Sequence, residues 1–134
     1  MASKVIHVSG KRKRSIARAT LEEGNGIVRV NKIVLDHYSN KLARMKLLEP
    51  LMIAEDLSKS VNINVNVRGG GWQSQAEASR LAIARALAEY SRGDKLKKAF
   101  LDYDRNLIVA DIRRNESCKP NDSKPRKKRQ KSYR

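Results

Sequence analysis

The sequence predicts an α+β fold, a two-layer domain of sheet and helices that ends in a basic tail. Three observations carry this. Val61-Asn62-Ile63-Asn64-Val65-Asn66-Val67 alternates with a period of two, which puts four β-branched residues on one face of a strand and three Asn on the other. Ala76, Ile83, Leu87 and Tyr90 recur at helical spacing in an Ala-rich stretch. Near residue 112 the composition changes. Residues 113–134 hold ten Lys and Arg against two acids, a net +8, whereas residues 1–112 spread the same net +8 over twenty bases and twelve acids. Residues 1–112 are therefore expected to be a globular domain. Residues 113–134 have almost no apolar side chains to bury, cannot offset their ordering entropy, and are expected to stay disordered until they meet a partner.

The elements follow in chain order. Lys4 to Val8 reads as a strand, and Lys11-Arg12-Lys13-Arg14 as a basic loop. Ile16 to Leu21 and Ile27 to Val30 read as a hairpin, because Glu22-Glu23-Gly24-Asn25-Gly26 between them supplies residues that tolerate positive φ. Asn31-Lys32 turns the chain into Ile33-Val34-Leu35. Asn40 is placed to cap a helix running to about Leu48, and Pro50 suits the first turn of a second helix ending near Leu57. The strand at 61–67 leads through Gly69-Gly70-Gly71 into a helix from about Gln73 to Ser91, its apolar stripe widened by Leu81, Ala84 and Ala88. Gly93 suits its C-terminal cap. A short helix from Asp94 to about Leu101 and an apolar stretch, Leu107 to Ala110, complete the domain. Strands and then helices in this order argue for two packed layers.

Charge constrains the partner. Thirty Lys and Arg against fourteen Asp and Glu give +16, and so cationic a chain suits polyanions. An anionic membrane surface would call for a basic amphipathic helix with a bulky apolar face, or a lipidation signal, and neither is present. No apolar run approaches the ~20 residues of a membrane span. Met1 to Gly10 alternates polar and apolar residues without a signal-peptide core. Cys118 is the sole cysteine, so no internal disulfide is expected, and the expected location is the cytosol. His7, His37 and Cys118 share no metal-ligand spacing. The expected partner is nucleic acid, with no cofactor, metal or small-molecule substrate.

Several motifs admit two readings. Arg68-Gly69-Gly70-Gly71, between a strand and a helix, can present backbone N–H groups to an RNA phosphate, or can be a tight connection needing glycine only for close packing. No Lys-Ser or Lys-Thr follows it and GxGxxG spacing is absent, so a nucleotide site is not indicated. Trp72 can stack on a base or pack. Tyr90 lies on the apolar stripe, whereas Tyr133 has no core to join. Four consecutive bases at Lys11 to Arg14, with Arg18 close behind, repel one another, so a neutralising partner accounts for them better than solvent alone. A nuclear-localisation reading of that cluster, or of Arg126-Lys127-Lys128-Arg129, stays open. The acids Glu22, Glu23, Asp102, Asp104 and Asp111 sit beside bases and read as ion-pair partners. No Ser/His/acid set can be assembled, and no catalysis is expected.

The segments Gly10-Lys11-Arg12-Lys13-Arg14-Ser15-Ile16-Ala17-Arg18-Ala19, Gly24-Asn25-Gly26 with Val28-Arg29-Val30-Asn31, Arg68-Gly69-Gly70-Gly71, Ile83-Ala84-Arg85-Ala86-Leu87 and Gln130-Lys131-Ser132-Tyr133-Arg134 resemble, in order, those of the ribosomal protein S-nine family of the small subunit. Tyr103-Asp104-Arg105, Leu107 to Asp111 and Arg113-Arg114 resemble its archaeal and eukaryotic branch, and the short stretch between Lys119 and Arg126 favours an archaeal source. Ser15 and Ile16 depart from the residues common in the family. The resemblance implies a fold like the second domain of ribosomal protein S-five, with a left-handed βαβ crossover. It implies a place in the head of the small subunit, beside neighbouring ribosomal proteins. Lys11, Arg12, Lys13, Arg14, Arg18, Arg68, Gly69, Gly70, Gly71, Arg113, Arg114, Lys124, Arg126, Lys127 and Lys128 are then expected at ribosomal RNA, and Arg129, Lys131, Tyr133 and Arg134 at the anticodon stem-loop of peptidyl-site transfer RNA. Two competing classes are a small-molecule kinase, since kinases share this fold type, and a free-standing nucleic-acid chaperone. The kinase would require a glycine-serine-rich phosphate loop and a catalytic base, and the sequence shows neither.

Overall fold

The alternation at 61–67 is realised as the middle strand of a five-stranded sheet in the computed structural model, which describes residues 5–133. The strands are β1 (Ile6–Arg12), β2 (Ser15–Glu23), β3 (Val28–Val30), β4 (Ile33–Val34) and β5 (Val61–Arg68), in the spatial order β1-β2-β5-β3-β4. The helices are α1 (Lys41–Ile53), α2 (Glu55–Ser58), α3 (Trp72–Ser91) and α4 (Asp94–Tyr103). Val61, Ile63, Val65 and Val67 are each at most 4% exposed and face the helices. The α+β reading with a sheet layer and a helix layer holds.

The expected hairpin does not form. The strand at 16–21 and the strand at 28–30 are not neighbours, because β5 lies between them, antiparallel to β2 and parallel to β3. The loop joining β2 to β3 therefore passes the start of β5. There the Asn62 side chain accepts hydrogen bonds from the backbone N–H groups of Asn25 and Ile27, each at 3.0 Å, and Gly26 takes φ +82°. The turn chemistry was legible, but the strand that the loop must skirt comes thirty-odd residues later. The genuine hairpin in this region is β3–β4, turned by Asn31 and Lys32 at φ +49° and +71°, as their place in the sequence led one to expect. The Asn31 carboxamide also accepts from Val67 N–H at 2.9 Å, which ties the turn to β5.

Three boundaries move. The first strand begins at Ile6 rather than Lys4, which lies outside the described residues, and it runs through Gly10-Lys11-Arg12. Only Lys13 and Arg14 form the tight β1–β2 turn, Lys13 at φ +52°. Asn40 does cap α1, its side chain accepting from Ala43 N–H at 3.2 Å. The helix then continues through Pro50 to Ile53 instead of stopping near Leu48. A proline removes one helical hydrogen bond, but Pro50 is buried beside Leu47 on the core side, and burial outweighs the lost bond. At the end of α3 the left-handed residue is Arg92, φ +50°, with Gly93 extended at the start of α4.

α3 is the centre of the helix layer. Ala78, Ala82, Ala84 and Ala86 are fully buried along with Ile83 and Leu87, because α3 lies against β1 and β2 on one side and α1 on the other. Its small residues let it come close. A Cβ built on Gly10 of β1 would stand 2.3 Å from the Ala78 carbonyl oxygen. Phe100 of α4 and Leu107 close the bottom of this core at full burial. Among the described residues no helix lies on the opposite face of the sheet, and His7, Ser9, Lys11, Arg18, Asn66 and Arg68 are exposed there.

Candidate nucleic-acid interface

One end of the domain gathers segments that are far apart in sequence. The turn at Lys13-Arg14 sits beside the loop at Gly69-Gly70-Gly71, because β1, β2 and β5 end together: Arg12 faces Ser15, and Ile16 faces Arg68. Ser15 is fully buried, donates to the Gly69 carbonyl at 2.7 Å and shares a 2.7 Å hydrogen bond with the Ser74 hydroxyl in the first turn of α3. Gly69 and Gly70 have φ +77° and +66°. A Cβ on Gly69 would lie 2.6 Å from the Arg14 carbonyl oxygen, and one on Gly70 would lie 2.2 Å from Ser15 Oγ. The packing reason for glycine thus has its observation at both positions. Gly71 meets nothing within 4 Å.

The basic quartet divides by strand parity. Lys11 points to the open face of the sheet and Arg12 to the helix layer. Arg12, expected at RNA, is drawn inward: its side chain is 14% exposed and forms ion pairs with Glu77 of α3 at 2.7 Å and with Asp111 at 3.0 Å. Lys46 of α1 reaches the other oxygen of Glu77 at 3.0 Å. Beside them Arg80 bridges Glu49 at 2.5 Å and Asp104 at 2.8 Å. This charged network stitches α1, β1, α3 and the root of the tail together, and it confirms ion pairing for Asp104 and Asp111. Arg85 of α3 adds a clamp, donating to the carbonyls of Ile108 and Ser9 at 2.8 and 3.0 Å. Asp111, which follows the last described helix, also holds Arg113, whose guanidinium donates to both carboxylate oxygens.

The carboxylates of the network are held in their charged form. Burial pushes Glu77 upward, but hydrogen bonds from Arg12 and Lys46 outweigh it and leave the carboxyl below its ordinary value. Asp104 is likewise raised by burial and lowered further by Arg80 and by Asn106. Hydrogen bonds from Arg113 hold Asp111 far below the usual carboxylate range. For a group whose folded pKa is depressed, the stabilising contribution is complete above the unfolded pKa of about 4 and is lost as pH falls through the folded value. The urea midpoint should thus be flat near neutrality and fall below pH ~4. Arg80→Met should lower the neutral midpoint and flatten that fall. The same acid dependence in wild type and variant would mean that the Arg80 pairs contribute nothing.

The remaining predicted residues are placed as follows. Arg18 and Arg68 lie on the open sheet face with Lys11. Residues 113–133 contain neither helix nor strand, and all but Asp122 and Pro125 are exposed. Arg113 is paired as above, Arg126 pairs with Glu116, and Arg129 lies 3.4 Å from Asp122. Arg114 donates to the carbonyls of Asp111 and Arg113. Lys124, Lys128 and Lys131 are exposed, as are Lys127 near Ser123 and Tyr133, 87% exposed. Arg134 lies outside the described residues. Trp72, at the start of α3, is half exposed. Sequence reading missed Arg29 and Lys32, which join the open face from β3 and its turn. Strand parity for Arg29 was the available signal. Among the described residues no group of three or more His, Cys, Asp and Glu is placed to hold a metal ion, and no helix is long and apolar enough to cross a membrane.

A family model described as ribosomal protein S9/S16 matches residues 10–134. The chain belongs to that family. Among its relatives, the small ribosomal subunit protein uS9 of Methanococcus maripaludis strain C7 is 46% identical over 133 residues, covering 98% of this chain and 99% of the relative. The uS9 protein of Methanococcus vannielii is 47% identical over the same share. This is the archaeal-type branch of the family that the sequence resemblance indicated. The family match begins at Gly10, the residue on which α3 rests, and takes in the β1–β2 turn, the glycine loop, the charged network and the tail.

Proposed function

We propose that the chain is a structural protein of the small ribosomal subunit, carried in the cytoplasm on the ribosome, that binds ribosomal RNA in the subunit head. In this reading Lys11, Lys13, Arg14, Arg18, Arg68 and the glycine loop meet RNA backbone, while Arg12 fixes the turn that presents them. Residues 1–112 form the docking domain, with the β3-to-β5 connection through α1 and α2 as the left-handed crossover. Residues 113–134 form the extended segment that orders along RNA. Its final residues, Arg129, Lys131, Tyr133 and Arg134, reach peptidyl-site transfer RNA, and neighbouring head proteins complete the surroundings. The supporting observation is that full-length likeness to uS9 coincides with a single end of the domain where the basic turn, the glycine loop and the root of a net +8 tail converge.

The physics is stabilisation and positioning. Cations displace condensed counterions from RNA, and Arg presents a planar fork suited to phosphate. Removal of Arg129 to Arg134 takes away three cations. At about 0.7 released counterions per phosphate contact, the salt slope of transfer-RNA binding should fall by about two. The domain keeps a net +8, so subunits should still assemble. Subunits carrying the truncated chain should bind peptidyl-site transfer RNA more weakly, with the deficit greatest at low ionic strength. Unchanged affinity at every salt concentration refutes the transfer-RNA role, and loss of the chain from subunits makes the tail an anchor instead.

A further inference from the structure

The face of the sheet turned away from the helices is a surface with its own chemistry. Register builds it in rows. Lys11 faces Ile16, which faces Arg68; Ser9 faces Arg18, which faces Asn66; His7 faces Thr20, which faces Asn64, which faces Arg29. Arg14 and Lys32 stand at the rim. Among the described residues none of the six cations Lys11, Arg14, Arg18, Arg29, Lys32 and Arg68 has a hydrogen-bond or ion-pair partner for its side chain. On the helix side Arg12, Lys46 and Arg80 are neutralised, while Lys95, Lys97 and Lys98 of α4 are exposed there without a side-chain partner among the described residues. Glu22, level with Asn62 at the far end, is the one carboxylate on this face of the strands. Two shallow depressions, of about 610 and 440 Å³, share Arg18 and Asn66 and so run together along the face.

We propose that this face docks double-helical RNA through its ribose–phosphate backbone. The inference rests on the proposed function and adds the mode of binding and two residues, Arg29 and Lys32. Charge complementarity selects a polyanion. The scarcity of rings selects the form: none of the five strands contains Phe, Tyr or Trp, and the single ring on this face of the strands, the His7 imidazole, is hydrogen-bonded to the Thr20 hydroxyl at 3.1 Å. Proteins that read unpaired bases stack successive bases on several aromatic side chains, and the single His7 ring makes no such platform on this sheet. Between the cations it offers neutral groups that both donate and accept, Thr20 and Asn64 in one row and Asn66 in the next. The ribose 2′-hydroxyl does the same, and A-form RNA displays it along a wide, shallow minor groove that a sheet can approach. Recognition here is of shape and sugar, with little base readout.

The test uses the full chain and three probes: an RNA duplex of about 16 base pairs, the DNA duplex of the same sequence, and oligouridine of equal length. Affinity is measured against KCl by fluorescence anisotropy. Wild type should prefer the RNA duplex to both other probes. The double variant Arg29→Ala/Lys32→Ala should keep its unfolding midpoint and lose about two from the salt slope on the RNA duplex. Asn64→Asp/Asn66→Asp should weaken the RNA duplex at least tenfold and narrow its advantage over DNA. An unchanged slope in the first variant, alongside a lowered slope after deletion of Arg126 to Arg134, overturns the face and leaves the RNA-binding reading standing. Preference for oligouridine overturns the duplex mode. Failure of wild type to bind any RNA at low salt overturns both readings together.

Discussion

Val65→Asp should leave the chain unfolded or nearly so, whereas Asn64→Asp, one residue away, should fold with a midpoint close to that of wild type. Val65 is 1% exposed and sits in the centre of the sheet, opposite Ala19 on one side and Val30 on the other. A carboxylate there would be buried with no cation beside it. An uncompensated buried charge costs about 3–5 kcal/mol, a large part of the ~5–15 kcal/mol that a domain has in total. Asn64 lies on the open face between Thr20 and Arg29, where a new charge stays hydrated. Its effect should fall on RNA affinity through repulsion. Urea unfolding followed by circular dichroism separates the two, and equal midpoints would contradict the assignment of faces.

Gly10→Ala should be among the most damaging single-methyl changes in the domain. The added Cβ would lie 2.3 Å from the Ala78 carbonyl oxygen and 2.9 Å from the Ala82 nitrogen, both backbone atoms of α3. Neither can swing aside as a side-chain tip can, so the helix must lift from β1. Lifting it would loosen the contacts of Ala78 and Ala82 and lengthen the Arg12–Glu77 pair. Overpacking of a tight core costs about 1–3 kcal/mol and occasionally more, and this site belongs at or above the upper end. Gly71→Ala is the control: it has φ −94° and open space where the methyl would go, and it should be neutral within about 0.5 kcal/mol. A Gly10→Ala variant as stable as Gly71→Ala would mean that α3 does not rest on that residue.

These residues also show what the sequence discloses and what it withholds. The two faces of β5 were readable because alternation is a local signal, and the Asn40 cap and the Asn31-Lys32 turn were readable for the same reason. The neighbour of β2 was not. Loop length and glycine content after Glu23 suit a hairpin, and nothing local records that β5 will enter between the strands. Pro50 misled because its cost to a helix is local, while its compensation, burial in the helix layer, is tertiary. At the candidate interface the basic quartet was visible as a charge run. Its division into Lys11 on the open face and Arg12 in the network depends on the strand continuing through Gly10, where the expected strand had already ended. The glycine loop was visible as a motif, but the contacts that require Gly69 and Gly70 come from Arg14 and Ser15, more than fifty residues earlier.

The account turns on the claim that this basic domain works as part of a small ribosomal subunit, and sedimentation of the chain in a cell lysate tests it most directly. A gradient run at moderate salt and probed for the chain should show it in the small-subunit fractions and in assembled ribosomes. The Arg29→Ala/Lys32→Ala variant should be released from them at lower salt than wild type. A chain that stays at the top of the gradient with free protein, while other small-subunit proteins sediment normally, would contradict the account and favour a free-standing nucleic-acid chaperone.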